Sequence, residues 1–424
     1  MMARRLIPNL GQWSSRIFEV ECGKRSALYF ALRADRQADP RRHELKQLFG
    51  DGKALSFHVQ CGDRIQRSKM YAFLQDKLSS IPSTDCTIME MPSFLPDVKQ
   101  SVRKGFLLMY RSDSPIADRV IGDLQQVESL AVCSYVQEKD IWWQNHLPKK
   151  DGCSLTDLDK YCVTLTVAPE VCPTVLSIIN NDVFYSFDEA YKVLTECRDI
   201  IPESQAVLDL VDQRLDSTER GRFPVIVIEG LDATGKTTLT ESLARQLNAV
   251  LLKSPPESLA PLRARFDAEP PLIRRAFYAL GNYITAGQIA RDSSKAPVVV
   301  DRYWHSTAAY AIATAVRGGG GGVGVGRLPG AGSEVYRWPQ DLLRPSLVLL
   351  LTLDPAERQR RLRGRGLAQT PEEAALEANN TFRQKVEEAY MRIEDPACVT
   401  VDASPSPDKV LQQVLLLIKN KCHL

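Results

Sequence analysis

Eight consecutive residues, Gly230-Leu-Asp-Ala-Thr-Gly-Lys-Thr237, fulfil the spacing G-x-x-x-x-G-K-[ST]. Each residue type there suits phosphate chemistry. Gly230 and Gly235 permit a tight turn in which successive N–H groups converge on phosphate oxygens, and a helix opening at Lys236 adds its positive end. Lys236 supplies a mobile point charge for β- and γ-phosphates, and Thr237 offers a hydroxyl to Mg2+. The expected ATP-binding set is Gly230, Leu231, Asp232, Ala233, Thr234, Gly235, Lys236, Thr237 and Thr238.

Two further clusters fit the same chemistry. In Val298-Val-Val-Asp301-Arg302-Tyr303 an acid follows three β-branched residues, where Asp301 can hold Mg2+ and Arg302 can clamp a second phosphate. In Arg358-Gln-Arg-Arg-Leu-Arg-Gly-Arg365 five arginines fall within eight positions, with no acid after Glu357. On a helix Arg358, Arg361 and Arg365 share a face. The run reads as an arginine lid over transferring phosphates, with nucleic-acid binding as the rival reading.

The elements that must position these groups follow a βα rhythm. Pro224–Glu229 is a β-branched run that fits a buried parallel strand, and Thr238–Leu247 is helical. Further strands are expected at 249–252, 298–301, 347–353 and 399–401 with helices between, so that all deliver their C-terminal residues to one sheet edge. Upstream, 27–32, 54–59, 105–110 and 161–167 read as strands and 64–78 as a helix, a mixed α/β region with no recognisable chemistry. The adjacent Trp142 and Trp143 point to opposite faces and read as partly core. The expected fold class is therefore α/β, a three-layer P-loop NTPase domain with a parallel sheet over 223–424. It is preceded by a separate mixed α/β domain over 19–200 and a linker over 201–222. Residues 317–332 hold nine of the 24 glycines and read as a surface insertion rather than a phosphate loop.

Composition narrows the remaining choices. With 54 Lys+Arg against 52 Asp+Glu among 424 residues, no global charge selects a polyanion, and no nucleic-acid partner is expected. The longest apolar run, Leu347–Leu353, is far short of a membrane span. Ten cysteines without a C-x-x-C pair and five scattered histidines argue against structural zinc and fit a reducing compartment. The first 18 residues contain Arg4, Arg5 and Arg16 and no acid before Glu19, the pattern of a mitochondrial targeting segment. The expected location is the mitochondrial matrix, or the cytoplasm if that segment does not target.

The P-loop, the Asp301-Arg302-Tyr303 strand end and the arginine-rich lid together resemble the thymidylate kinase family of nucleoside monophosphate kinases, over Phe223 to the C-terminus. Within that family the match extends to Lys253-Ser-Pro-Pro256, Arg274–Tyr278, Leu280–Ile284 and Asp301–Ser306, in a member that also carries a long N-terminal extension. The resemblance implies ATP and Mg2+ as cofactors and transfer of a phosphoryl group to a pyrimidine nucleoside monophosphate: CMP, UMP, dCMP or dUMP. It also implies pairing as a homodimer through the kinase domain. It places Asp232 at the sugar hydroxyl and reacting phosphates, Arg302 at the acceptor phosphate, Phe277 in a stack on the pyrimidine, and Ser306 and Tyr310 in the base pocket. Lys236, Asp232, Arg302, Arg361, Arg363 and Arg365 are the expected catalytic residues, with Thr237 and Asp301 at the metal.

Three departures accompany the resemblance. Gly281 stands where thymidylate kinases carry an arginine that reads thymine, Ser258 stands where a second acceptor arginine is usual, and Ala233 stands where some members have a P-loop arginine. Arg263, Arg265, Arg274 or Arg275 are candidates to replace the second, and the lid arginines to replace the third. The rival readings are a thymidylate kinase, a deoxynucleoside kinase with Glu229 as the base for a 5′-hydroxyl, and a nucleotide-binding scaffold. A regulatory GTPase is disfavoured because the chain has no N-K-x-D motif.

Overall fold

The computed structural model describes residues 16–20, 27–34, 39–50, 53–96, 98–110, 114–147, 160–169, 173–213, 220–316, 328–364 and 379–422. Most of the targeting segment expected over 1–18, most of the glycine-rich insertion and Arg365 lie outside them. The chain divides into two compact units, one of 1–180 with 316–327, the other of 181–315 with 328–424. Among the described residues no helix is long and apolar enough to cross a membrane.

The first unit contains β1 (Ile17–Val20), β2 (Leu28–Arg33), α1 (Arg42–Phe49), β3 (Lys53–Val59), α2 (Arg64–Ser79), β4 (Cys86–Glu90), β5 (Ser93–Leu95), β6 (Val98–Arg103), β7 (Gly105–Tyr110), α3 (Pro115–Gln125), β8 (Leu130–Glu138), β9 (Ile141–His146) and β10 (Lys160–Leu165). These strands form one ten-stranded sheet, ordered β4-β7-β3-β8-β9-β10-β2-β1-β5-β6. The ladders from β3 to β7, β3 to β8 and β8 to β9 are antiparallel. The mixed α/β expectation thus takes the form of an antiparallel sheet with helices on its faces. The pleat divides β3 between two cores: Ala54 packs with Phe18, Phe30, Phe49 and Trp142, while Leu55, Phe57 and Val59 pack with Leu74 of α2 and Ile121 of α3. Trp142 and Trp143 are both buried, as partly expected.

The second unit is a parallel sheet between helices. Helix α4 (Pro173–Asn181) ends at its start, and α5 (Phe187–Cys197), α6 (Glu203–Asp212), β11 (Val225–Gly230), α7 (Lys236–Leu247), β12 (Val250–Lys253), α8 (Ala260–Asp267) and α9 (Pro271–Asp292) follow. The chain continues through β13 (Val298–Asp301), α10 (Trp304–Ala315), β14 (Leu347–Thr352), α11 (Pro355–Gly364), α12 (Asn380–Arg392), β15 (Cys398–Asp402) and α13 (Pro407–Cys422). Strand order is β12-β13-β11-β14-β15, and β11 pairs in parallel with both β13 and β14. Ile226, Ile228, Leu349 and Val401 face one core, closed by Leu239 and Leu243 of α7 and Val414 and Ile418 of α13. Because both sheet faces are covered, the central strands read as unbroken apolar runs rather than alternating ones.

One boundary differs from expectation. Part of the anticipated linker over 201–222 is helix α6, whose Val207, Leu208 and Val211 are buried, and α5 and α6 both pack on α9 of the second unit. The helical pattern and the apolar positions Leu208 and Val211 are legible in the sequence, and it is their packing on α9 that draws this stretch into the second unit. Helix α9 is buried nearly all round, and its central place explains why two extra helices are needed to cover it.

Candidate active site

Strand β11 delivers the chain directly into the phosphate loop. Gly230 has φ +141°, and a Cβ there would stand 2.7 Å from the Leu351 carbonyl oxygen, so the close approach of β14 demands glycine. Gly235 caps α7 at φ +92°, and Ala233 between them is also left-handed, at φ +64°. The Thr234 hydroxyl donates to the Leu231 carbonyl at 2.8 Å and fixes the turn. Lys236 Nζ donates to the same carbonyl at 2.8 Å and stands 3.9 Å from the Asp232 carboxylate. Burial, with Arg302 adding to it, pulls the Lys236 ammonium down to about 7. A cation held under that penalty gains most from an anion arriving at the loop.

The end of β13 faces the loop. Arg302 sits at φ +66°, its backbone N–H tied to the Ile228 carbonyl at 3.0 Å. Its guanidinium donates to Asp232 Oδ1 at 2.5 Å and to Ser306 Oγ at 3.1 Å. Behind it lies Glu229, fully buried, which accepts from the Tyr303 N–H at 2.8 Å, the Ser306 N–H at 3.3 Å, Ser306 Oγ at 2.5 Å and the Tyr390 hydroxyl at 3.4 Å. Burial pushes the Glu229 carboxyl up to about 7, against the opposing pull of Ser306 and Arg302. Beside these groups the Thr237 hydroxyl stands 3.4 Å from Asp301 Oδ2. This pair presents two hard oxygen donors at the mouth of the loop, a donor set that fits Mg2+.

Two cavities of the second unit open on either side of the loop. The first, of about 280 Å³, is lined by Asp232, Lys236, Thr237, Asp301, Arg302 and Ser306 at its charged end and by Ser254, Tyr278, Thr307 and Tyr310 elsewhere. The second, of about 460 Å³, runs along Ala233, Thr234, Gly235 and Thr238 to Pro405, Val410 and Leu411, under Arg360 and Arg361 of α11. Apolar walls next to a phosphate loop make a slot for a flat base.

The arginine cluster divides by environment. Arg361 bonds Glu357 at 2.8 Å and the Ala403 carbonyl at 3.0 Å, which parks it over the second cavity. Arg358 is only 1% exposed and reaches the Asp232 carbonyl at 3.5 Å. Arg363 is exposed on the far turn of α11, and Arg365 lies outside the described residues.

The profile of the thymidylate kinase family matches residues 228–414. Human "UMP-CMP kinase 2, mitochondrial" is 43% identical over 373 residues, covering 85% of this chain and 80% of that protein. The chain belongs to the thymidylate kinase family. It is a nucleoside monophosphate kinase. A thymidylate kinase of Xanthomonas oryzae pv. oryzae is 30% identical over 208 residues, 46% of this chain and 82% of its own. Among solved structures, thymidylate kinase from Candida albicans covers 48% of this chain and 94% of its own, at 23% identity and TM-score 0.37.

In this kinase Phe277 departs from the stacking position expected for it. It is fully buried and stacks on Phe266 of α8, centroids 4.6 Å apart and planes 9° from parallel. Tyr278, one residue on and so turned about the helix axis, lines the first cavity, which Phe277 does not. Its hydroxyl donates to Asp267 at 2.7 Å and accepts from Arg263 Nε at 3.0 Å. Of the four arginines considered for the missing acceptor arginine, Arg263 and Arg275 line the cavity. Arg265 pairs with Glu269 and Glu203, and Arg274 turns to the Asp267 carbonyl. The engagement of Glu229 had no sequence signal beyond its place before the glycine, because the donors come from 74 to 161 residues away.

Proposed function

We propose that the kinase transfers the γ-phosphoryl group of ATP to the phosphate of cytosine and uracil nucleoside monophosphates: CMP, UMP, dCMP and dUMP. The observation that carries this reading is the closed wall at Gly281. A Cβ there would lie 2.9 Å from Pro255 Cβ and 3.4 Å from Leu259 Cδ1, so the arginine that resembling thymidylate kinases use on thymine has no space. The human relative's name, a UMP–CMP kinase, points the same way.

ATP lies along the second cavity with its phosphates over Gly235 and Lys236, and the acceptor lies in the first with its phosphate at Arg302. The acceptor oxygen is already anionic, so no general base is required. Its bond to the γ-phosphorus forms as the bond from that phosphorus to the bridging oxygen of ADP breaks. Lys236 follows the charge on the transferred group, and Arg302 exchanges its carboxylate partner Asp232 for the acceptor phosphate. Arg361 moves from Glu357 toward the same oxygens, and Arg363 follows it on α11. Thr237 and Asp301 would hold Mg2+, which would supply further neutralisation of the phosphate oxygens. Glu229 is saturated by four donors, which argues against a role as base for a nucleoside hydroxyl and so against a deoxynucleoside kinase. The acid-free, arginine-bearing N-terminus and the mitochondrial name of the human relative support import into the matrix.

The test is a product assay with Mg-ATP and a panel of CMP, UMP, dCMP, dUMP, dTMP and the nucleosides. Diphosphates from the cytosine and uracil monophosphates are expected. Products only from dTMP, or only from nucleosides, would overturn the assignment.

A further inference from the structure

The acceptor cavity carries a hydrogen-bonded triad that none of the phosphate chemistry uses. Asn282 of α9 is 2% exposed and lies behind the wall. Its Oδ1 accepts from Ser254 Oγ at 2.7 Å, and its Nδ2 donates to Thr307 Oγ1 at 3.0 Å. Ser254 and Thr307 both line the cavity. One amide therefore links the hydroxyls of two residues that line the space proposed for the acceptor.

The amide sets the two hydroxyls in opposite senses. Ser254 spends its proton on Asn282 and turns lone pairs toward the cavity, while Thr307 receives a proton and keeps its own to give. Rotating the amide by half a turn exchanges the roles: Nδ2 then donates to Ser254, Thr307 donates to Oδ1, and every bond is kept. The two states present donor-acceptor and acceptor-donor edges of equal internal satisfaction. Cytosine and uracil differ by the same exchange. Cytosine shows an acceptor at N3 beside a donor at its 4-amino group, and uracil a donor at N3 beside an acceptor at O4.

We infer that Asn282 is the positioning residue for base choice, its amide turning to match Ser254 and Thr307 to either cytosine or uracil. The inference rests on the cytosine and uracil reading above and deepens it. Because each hydroxyl serves both bases, removing one harms both alike. In a site that reads the bases with different groups, it would harm one.

The experiment compares kcat/KM for CMP and UMP, and KM for ATP, in the full-length wild type, Thr307→Val, Ser254→Ala and Asn282→Asp. The aspartate can only accept, so both hydroxyls must donate to it and neither base finds a donor. Each variant is expected to lose about tenfold or more with both acceptors, the loss of a satisfied hydrogen bond, while the CMP to UMP ratio and the KM for ATP stay within about threefold. A ratio that moves further, an unchanged kcat/KM, or an equal rise in the KM for ATP overturns the inference. Wild-type enzyme active on only one of the two bases overturns it too and leaves the kinase assignment standing. Activity on neither overturns the substrate reading beneath it.

Discussion

In the kinase unit the buried polar side chains converge at the C-terminal ends of parallel strands, whereas in the N-terminal unit they pair with one another inside an antiparallel sheet. Glu229, the last residue but one of β11, and Asp301, the last of β13, meet the loop and Arg302 at a single edge. In β3, by contrast, Ser56 and His58 lie mid-sheet, with His58 Nε2 at 3.1 Å from Ser56 Oγ, Tyr135 donating to Ser56 at 3.1 Å and Gln144 donating to Tyr135 at 2.7 Å. Parallel strands aim every C-terminus the same way, so loops and helix N-termini accumulate where an anion can bind. Antiparallel strands alternate direction and accumulate nothing. At the kinase edge Lys236, Arg302, Thr237 and Asp301 stand together where an anion and its cation can bind, with Glu229 spent on holding them, whereas the groups of the β3 cluster bond one another.

If that contrast holds, substitutions at the edge should abolish turnover with little loss of fold, and substitutions in the N-terminal cluster should do the reverse. The largest effect is expected at Lys236→Ala, with kcat reduced about 10³-fold or more and the melting temperature preserved, since transition-state charge then goes unneutralised. A near-wild-type kcat would break the comparison at its strongest point. The same lysine, held at about 7 by burial, takes up a proton when nucleotide phosphates arrive. At pH 8 the binding enthalpy should therefore vary with the ionisation heat of the buffer, and in Lys236→Ala it should not. Arg302→Ala comes next, at about 10²-fold in kcat/KM and concentrated in the acceptor KM. Arg361→Ala should cost about tenfold. Arg363→Ala should cost less, because Arg363 begins exposed rather than placed over the cavity.

Much of the edge was legible in the sequence because its signals are local. The loop spans eight residues, the strands β11, β13, β14 and β15 are apolar runs, and Arg302 stands beside Asp301. Less legible was which face of a long buried helix meets the cavity. In α9, Phe277 and Tyr278 are neighbours of like type, and only the packing of Phe266 from α8 decides that Phe277 is core. Asn282 gave no signal either, since its partners lie 28 and 25 residues away and all three side chains are small and common. The N-terminal strands at 54–59 and 105–110 are legible as alternating or apolar runs, but their ten-stranded order depends on long-range pairing that periodicity does not encode.

The smallest effect on turnover, and the sharpest test of the N-terminal half of the contrast, belongs to His58. It is buried at 1% exposure against Phe18, and burial first, then the charges of His146 and Arg16, lower it to about 3 from 6.5. The folded state thus binds fewer protons than the unfolded chain between those values. Its contribution is complete above about pH 6.5 and is lost as pH falls toward 3, at about 1.4 kcal/mol for each unit of depression. The opening free energies of the β3 and β8 amides, read from hydrogen exchange after correction for its intrinsic pH dependence, should therefore fall on acidification in the wild type. In His58→Phe, which keeps the ring packing and has no proton to take up, that fall should begin at lower pH, with kcat at neutral pH within about twofold. An acid profile identical in the two proteins would mean that other groups carry the acid sensitivity of this sheet. A large fall in kcat would mean that the polar cluster of the antiparallel sheet is not spent on itself alone.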